Sequence, residues 1–149
     1  IATPFIAHWP GGITAHGEFR RTPMQLPDIM ATCLDVAGAT YPHDYKGHWI
    51  QPLEGFSLCP CFDNDTSERD VLYWEHEGNR AVRKGPWKLV CKHPGGWELY
   101  NMDSDRSELH DLAAEHGQLV NELAALYDAW AERCNVIPWD ELQKLRRER

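Results

Sequence analysis

The stretch that decides the fold is Trp74-Glu75-His76-Glu77-Gly78-Asn79-Arg80-Ala81-Val82-Arg83-Lys84-Gly85-Pro86-Trp87-Lys88-Leu89-Val90. Apolar and polar side chains alternate here, which is typical of strands in an antiparallel sheet. Glu77-Gly78-Asn79 predicts a tight turn, because Gly and Asn tolerate positive φ. Turns at Lys84-Gly85-Pro86 and Pro94-Gly95-Gly96 then complete a predicted antiparallel sheet, whose strands begin at Val71, Arg80, Trp87 and Trp97.

A helix predicted at 118–133 supplies the apolar cover that such a sheet needs. Apolar side chains recur there at helical spacing, and acidic residues occupy the opposite side. Burial of each apolar side chain stabilises the packing of the helix on the sheet by roughly 1.5–3 kcal/mol, before the lost conformational entropy is counted. The apolar residues are Leu119, Val120, Leu123, Leu126, Tyr127 and Trp130.

The first part of the chain is predicted to be the tail of an α/β layer. The near-continuous apolar run at 3–9 predicts a strand that is covered on both faces, followed by a turn at Pro10-Gly11-Gly12. A helix is predicted at 28–37, with Asp28 as its cap and Gly38 as its left-handed exit. Residues 40–65 are expected to be irregular, because Pro and Gly interrupt every periodicity. The apolar face of the predicted helix comprises Ile29, Met30, Cys33, Leu34 and Ala37.

The predicted fold class is α/β, as an α+β fragment in three parts. Residues 1–62 are the C-terminal remnant of a large α/β domain with a connecting loop. Residues 68–138 form a small subdomain of antiparallel sheet plus helix, and residues 139–149 are a charged tail, either a solvated helix or a frayed end. The polar run at 63–68 is the expected linker. Because the chain starts without Met in what reads as the middle of a strand, we expect it to continue a longer protein.

Composition excludes two classes of partner. The chain has 149 residues, with 15 Lys and Arg against 23 Asp and Glu, and its formal net charge is −8. Such a surface repels phosphate backbones, so nucleic acid is not an expected partner. No apolar run approaches the roughly 20 residues of a membrane helix, so no membrane association is expected.

The cysteines do not predict a metal site. Only Cys59-Pro60-Cys61 is clustered among the five, and no second pair of Cys or His at zinc-site spacing accompanies it. We therefore expect buried free thiols.

Several blocks follow one another along the chain: Pro4-Phe5-Ile6-Ala7-His8-Trp9-Pro10-Gly11, Asp28 to Gly38, Glu54-Gly55-Phe56-Ser57-Leu58, the strands with Leu99-Tyr100, the turn from Asp103 to Glu108, and His110-Asp111-Leu112-Ala113. In this order they resemble the C-terminal region of the sulfatases, the formylglycine-dependent sulfate-ester hydrolases. The first block is similar to the strand that follows the active-site region in the family, and the second block is similar to its next helix. Ala31 departs from the family pattern, which usually has proline there.

The resemblance implies an alkaline-phosphatase-like α/β domain whose chemistry lies outside this chain. Sulfatases use a formylglycine, made from Cys or Ser in a Cys-x-Pro-x-Arg motif, beside a bound calcium ion. None of the five cysteines here is followed by Arg at the fourth position, and the chain has no adjacent pair of aspartates. We therefore assign no catalytic residue and no metal ligand to the chain, and we expect it to be inactive alone. Calcium and formylglycine are expected in the full-length enzyme.

Polar residues at one end of the predicted first hairpin are the candidate substrate contacts: His76, Glu77, Asn79 and Arg80. An imidazole, a carboxylate, an amide and a guanidinium together suit a sugar or aryl group, or steer an anion. The resemblance implies that this sheet packs near the mouth of the pocket. The alternative is an ordinary polar turn in which Arg80 pairs with Glu75 or Glu77 across the strands.

Two other functions stay open from the sequence: a phosphoesterase or phosphonate hydrolase of the same superfamily, and a stand-alone binding or assembly module. The expected partners are the missing N-terminal catalytic part of the same protein and a small-molecule or carbohydrate sulfate ester. A strand at 3–9 without its neighbours would be an exposed edge, and self-association through that edge is expected. The resemblance implies a periplasmic or secreted location.

Overall fold

The computed structural model describes residues 3–66 and 69–148. The chain divides into two compact units, Ile1–Arg69 and Asp70–Arg149. Mixed helices in both units and a four-stranded antiparallel sheet in the second agree with the predicted α/β fragment. The predicted linker at 63–68 falls partly outside the described residues, since Ser67 and Glu68 are not among them.

The first unit contains short elements joined by long irregular segments. Asp44 to Trp49 form a small hairpin, whose turn residues Lys46 and Gly47 have φ values of 54° and 79°. This hairpin and a five-residue helix lie in the region that was expected to be irregular, so that expectation is wrong in part. The elements are α1 (Leu26–Val36), β1 (Asp44–Tyr45), β2 (His48–Trp49) and α2 (Cys59–Asp63).

The strand predicted at 3–9 is wrong. These residues are exposed and have no regular secondary structure, although the turn after them forms, with Trp9 O accepting hydrogen bonds from the N–H groups of Gly12 and Ile13. A strand is stabilised by the ladder it makes with neighbours, and no described strand pairs with this segment. The structure therefore offers no strand edge at 3–9 from which to argue self-association.

Helix α1 begins earlier than the sequence predicts, because Asp28 acts from inside the helix. Its carboxylate accepts a hydrogen bond from the N–H of Gln25, the N-cap residue, at 2.7 Å, so Asp28 is the third helical residue and not the cap. Gly38 follows the helix with a φ of 61°, as predicted. The predicted apolar face is largely unburied, with Met30, Cys33 and Ala37 exposed.

The second unit contains the predicted sheet with boundaries shifted by at most one residue. Two-residue turns join the first three strands, and the register pairs His76 with Asn79 and Lys84 with Trp87. A longer loop at 92–96 joins the last two strands, where Cys91 pairs with Trp97. The strands are β3 (Val71–His76), β4 (Asn79–Lys84), β5 (Trp87–Cys91) and β6 (Trp97–Asn101).

Helix α3 (Gly117–Arg133) covers one face of this sheet, as predicted. The register aligns Val82, Leu89 and Leu99 in one row, and these side chains pack with Leu123 and Tyr127 of the helix into a core that is almost fully buried. The aromatic rings add to the contact: the rings of Tyr73 and Trp130 stack with centroids 5.2 Å apart, and those of Trp97 and Tyr127 meet edge to face at 5.7 Å.

The tail after Pro138 is helix α4 (Trp139–Arg147), with no buried residue. Of the two possibilities for this segment, the solvated helix is therefore the one observed. Within the described residues, no helix has both the length and the apolar character required to cross a membrane.

We expect Leu89→Ala to destabilise the second unit by about 2–5 kcal/mol, because Leu89 is fully buried between β4, β6 and α3. Leu109→Ala is the matched control, since Leu109 is 74% exposed and should change the free energy of unfolding by less than about 0.5 kcal/mol. Urea unfolding followed by near-ultraviolet circular dichroism measures both. Equal effects of the two substitutions would contradict this core.

Ionisation of a tyrosine in the core is expected to lower the stability of the second unit at alkaline pH. Burial raises the pKa of Tyr127 from 10 to about 12, and the charge of Glu75 acts in the same direction. A folded-state pKa above the unfolded value stabilises the fold below pH 10, and this contribution disappears as the pH rises from 10 to 12. Tyr127→Phe has no phenol to ionise, so we expect it to lose less stability than the wild type between pH 9 and pH 12. Parallel losses in thermal unfolding across this range would refute the assignment.

Candidate functional site

The candidate site lies at the end of the β3–β4 hairpin, where two residues form the turn. Glu77 and Gly78 have φ values of 53° and 83°, the left-handed conformation at both central positions that matches a type I′ turn. The Gly78 N–H donates to Glu75 Oε1 at 2.9 Å. The turn is thus fixed both by its conformation and by a side chain of its own strand.

Both polar atoms of the Asn79 side-chain amide form hydrogen bonds. Its Nδ2 donates to the carbonyl oxygen of His76 at 2.8 Å, and its Oδ1 accepts from the backbone N–H of His93 at 3.2 Å. Asn79 therefore ties the hairpin end to the loop between β5 and β6.

His76 and Glu77 present exposed side chains at this hairpin end. Within the described residues, no hydrogen bond or ion pair is formed by the His76 imidazole or the Glu77 carboxylate. An imidazole can donate and accept hydrogen bonds, and a carboxylate accepts them, so this pair suits a polar ligand rich in hydroxyl groups.

Arg80 lies on the opposite face of the sheet from His76. It stands directly across from Glu75 in the register, and its guanidinium carbon lies 4.5 Å from the ring centroid of Trp97 and 5.6 Å from that of Tyr127. Its Nη2 is 3.3 Å from Cys91 Sγ. The hairpin thus brings His76, Glu77 and Asn79 together, and it directs Arg80 toward α3.

The expected pairing of Arg80 with Glu75 or Glu77 is not what the hairpin shows. No ion pair in the described part of the chain includes Arg80, and the Glu75 carboxylate accepts from the Gly78 N–H instead. Contacts with aromatic faces hold the Arg80 guanidinium.

Three further residues reach this end of the sheet and were missed by the sequence analysis. His93 lies in the β5–β6 loop, and its Nε2 is 3.4 Å from Oδ1 of Asp140, near the start of α4. A Cβ built on Gly78 would lie 2.9 Å from His93 Cγ and 3.0 Å from Trp139 Cβ. Part of this was available from the sequence: two-residue turns on both sides of β4 place Asn79 opposite residue 92, next to His93.

The described residues provide no donor set for the calcium ion that the resemblance implies. Between 3 and 66 and between 69 and 148, no three His, Cys, Asp or Glu side chains come together in a way that suits a metal ion.

The cysteines are only partly as expected. All five are free thiols, but only Cys61 and Cys91 are buried, while Cys33 and Cys134 are exposed. Partial burial of Cys59 and burial of Cys61 raise the pKa of each thiol, which favours the protonated thiol over the thiolate at neutral pH.

A shallow depression of about 380 Å³ at the start of α3 is a poor place for an anion. Two carboxylates line it, those of Glu115 and Glu122, and Lys84 pairs with Glu122 at 3.0 Å. The remaining negative charge disfavours a sulfate group there.

Comparison with known proteins identifies relatives over most of the chain. Residues 1–130 match the family described as N-sulphoglucosamine sulphohydrolase, C-terminal. An uncharacterized sulfatase of Schizosaccharomyces pombe is 28% identical over 85% of this chain and 26% of its own length. A sulfatase of Formosa agariphila is 24% identical over 93% of the chain and 30% of its own length. The N-acetylgalactosamine-6-O-sulfatase of Bacteroides thetaiotaomicron is 23% identical over 85% of the chain and 26% of its own length.

Solved structures share the fold at low identity. The crystal structure of Ps i-CgsB superposes with a TM-score of 0.68 at 23% identity, over 83% of this chain and 27% of that one. A structure solved in complex with its substrate D-glucosamine-2-N,6-O-disulfate has a TM-score of 0.56 at 24% identity, over 76% of this chain and 25% of that one.

The chain spans between 26% and 30% of the length of these curated relatives. The family match, in contrast, extends over nearly the whole chain, from residue 1 to residue 130. The resemblance seen in the sequence blocks and the family match therefore agree. By its match to the family described as N-sulphoglucosamine sulphohydrolase, C-terminal, the chain belongs to the sulfatase family as a C-terminal portion.

Proposed function

We propose that this chain is the C-terminal part of an enzyme that hydrolyses sulfate esters of carbohydrates, and that its β3–β4 hairpin end contacts the substrate. The family match carries the reaction class. Two similar proteins support a carbohydrate substrate. One relative is an N-acetylgalactosamine-6-O-sulfatase, and one similar solved structure contains D-glucosamine-2-N,6-O-disulfate.

The single observation that carries the site is the exposed His76 imidazole on a turn whose backbone is held in place. Glu75 fixes the Gly78 N–H and Asn79 fixes the His76 carbonyl, so the imidazole is presented from a rigid base. In this proposal His76 and Glu77 contact the sugar or its sulfate group, Asn79 positions them, and Arg80 supports the hairpin from the α3 side.

The reacting groups are assigned to the rest of the enzyme in this proposal. The formylglycine and the calcium ion supply the nucleophile and the charge stabilisation when they are present, and this chain supplies binding and orientation. The partner of the chain is then the remainder of the same polypeptide. We extend the family analogy to a periplasmic or secreted location.

We expect the 149-residue chain alone to release no 4-nitrophenol from 4-nitrophenyl sulfate above a buffer blank. The reason is that the proposed nucleophile lies elsewhere in the enzyme. The full-length enzyme, assayed in parallel, should be active, and it should prefer the sulfate ester to 4-nitrophenyl phosphate. Turnover by the chain alone would overturn this division of labour.

In the full-length enzyme, His76→Ala should raise KM for a sulfated hexosamine about 10-fold, because one hydrogen bond to a charged or hydroxyl group is lost. His76→Gln, which keeps a donor and an acceptor, should recover part of the loss. His16→Ala is the matched control, since His16 is an exposed histidine of the first unit. An unchanged kcat/KM in His76→Ala would remove this residue from the site.

A further inference from the structure

The start of helix α4 packs directly under the hairpin turn that carries the candidate site. Gly78 has no room for a Cβ, which would lie 2.9 Å from His93 Cγ and 3.0 Å from both His93 Nδ1 and Trp139 Cβ. The turn therefore rests on the His93 ring from the β5–β6 loop and on the first residue of α4. Three separate segments of the chain meet at this glycine.

His93 joins the three segments. Its backbone N–H donates to Asn79 Oδ1 at 3.2 Å, which ties the β5–β6 loop to the hairpin. Its Nε2 lies 3.4 Å from Asp140 Oδ1, which ties the same loop to α4. The contacts of one residue thus connect α4 to the hairpin end through the side chain of Asn79.

Helix α4 adds no fully buried side chain to the core of the second unit. The helix has no buried residue, and the guanidinium of Arg146 covers the half-buried ring of Trp139 at 5.4 Å. The family match ends at residue 130, so the whole of α4 lies beyond it. Trp139 and Asp140 thus connect the hairpin turn, directly and through His93, to a helix that the matched family region does not include.

We propose that α4 is a positioning element for substrate binding: Trp139, with His93 and Asp140, holds the hairpin end still and so fixes His76. A hairpin end without such support frays, and ordering it on binding costs affinity. Support from α4 removes that cost before the substrate arrives. The proposal rests on the proposed function and adds His93, Trp139 and Asp140 to it.

The first test asks whether α4 fixes the turn and needs no enzyme activity. In the 149-residue chain, a stop codon after Pro138 removes α4 and should accelerate amide hydrogen exchange at Gly78 and Asn79 about 10-fold. Exchange at Leu89 and Leu99 in the core should stay unchanged, which shows that the unit is still folded. Lys144→Ala, on an exposed position of α4, is the control that leaves all of these amides unchanged. Unchanged exchange at Gly78 after removal of α4 would overturn the proposal.

A double-variant cycle separates the contact from the strain of the turn itself. Gly78→Ala suffers both from its φ of 83° and from the clash with His93 and Trp139. Once α4 is removed, the Trp139 part of the clash is gone while the strain remains. We therefore expect Gly78→Ala to lower the melting temperature less in the shortened chain than in the intact chain, and equal shifts would contradict the contact.

The second test asks whether this support serves the substrate. In the full-length sulfatase, removal of α4 should raise KM for a sulfated hexosamine about 5-fold with kcat unchanged, since only presentation of His76 is altered. In a His76→Ala background the same removal should change KM less than 2-fold, a coupling that a purely structural helix would not show. Asp140→Asn should give a smaller effect in the same direction.

The outcomes separate this proposal from the proposed function. If the enzyme is active and its KM is unchanged by removal of α4, only the positioning role of α4 is overturned. An enzyme without activity toward sulfate esters overturns the proposed function and the substrate role of α4 together, and the exchange experiment then still decides whether α4 fixes the turn.

Discussion

The packing of α3 against one row of the sheet is the constraint on which the rest of the second unit depends. Val82, Leu89 and Leu99 are aligned by the strand register, and Leu123 and Tyr127 close over them. A shift of the register by one residue would turn this row to the other face of the sheet, so burial of the row specifies the register. The register in turn places His76 beside Asn79 and Arg80 beneath α3. The geometry of the candidate site is therefore a consequence of the core.

In the first unit a buried carboxylate has the comparable role. Asp28 is 2% exposed and accepts from the N–H groups of Gln25 and Phe56, while Arg69 pairs with it and stacks on the Phe56 ring at 4.7 Å. Removing one partner of a buried ion pair leaves an uncompensated charge, which is strongly destabilising. A polar network thus holds a unit that has few buried apolar side chains.

Much of the second unit could be predicted because its signals are local. Glycine at the turns and the helical stripe from Leu119 to Trp130 set the boundaries of the sheet and of α3 within about one residue. The face of the sheet on which Arg80 lies could also be predicted, since a two-residue turn pairs residue 76 with 79 and therefore 75 with 80. The turns placed residue 92 opposite Asn79, but the packing of the His93 ring and of Trp139 against Gly78 could not be predicted, because it joins a turn to a loop and a helix farther along the sequence. The strand at 3–9 failed for the same reason, as a strand depends on neighbours that local pattern does not supply.

We propose a supporting and orienting role for the chain in a sulfatase, with His76 presented to the ligand by the β3–β4 hairpin. The measurement that tests this most directly is a crystal structure of the full-length enzyme with a sulfated hexosamine bound. We expect a nitrogen of the His76 imidazole to lie about 2.7–3.2 Å from an oxygen of the ligand. A bound ligand with every atom beyond hydrogen-bonding reach of the hairpin end, and His76 facing bulk water, would contradict it.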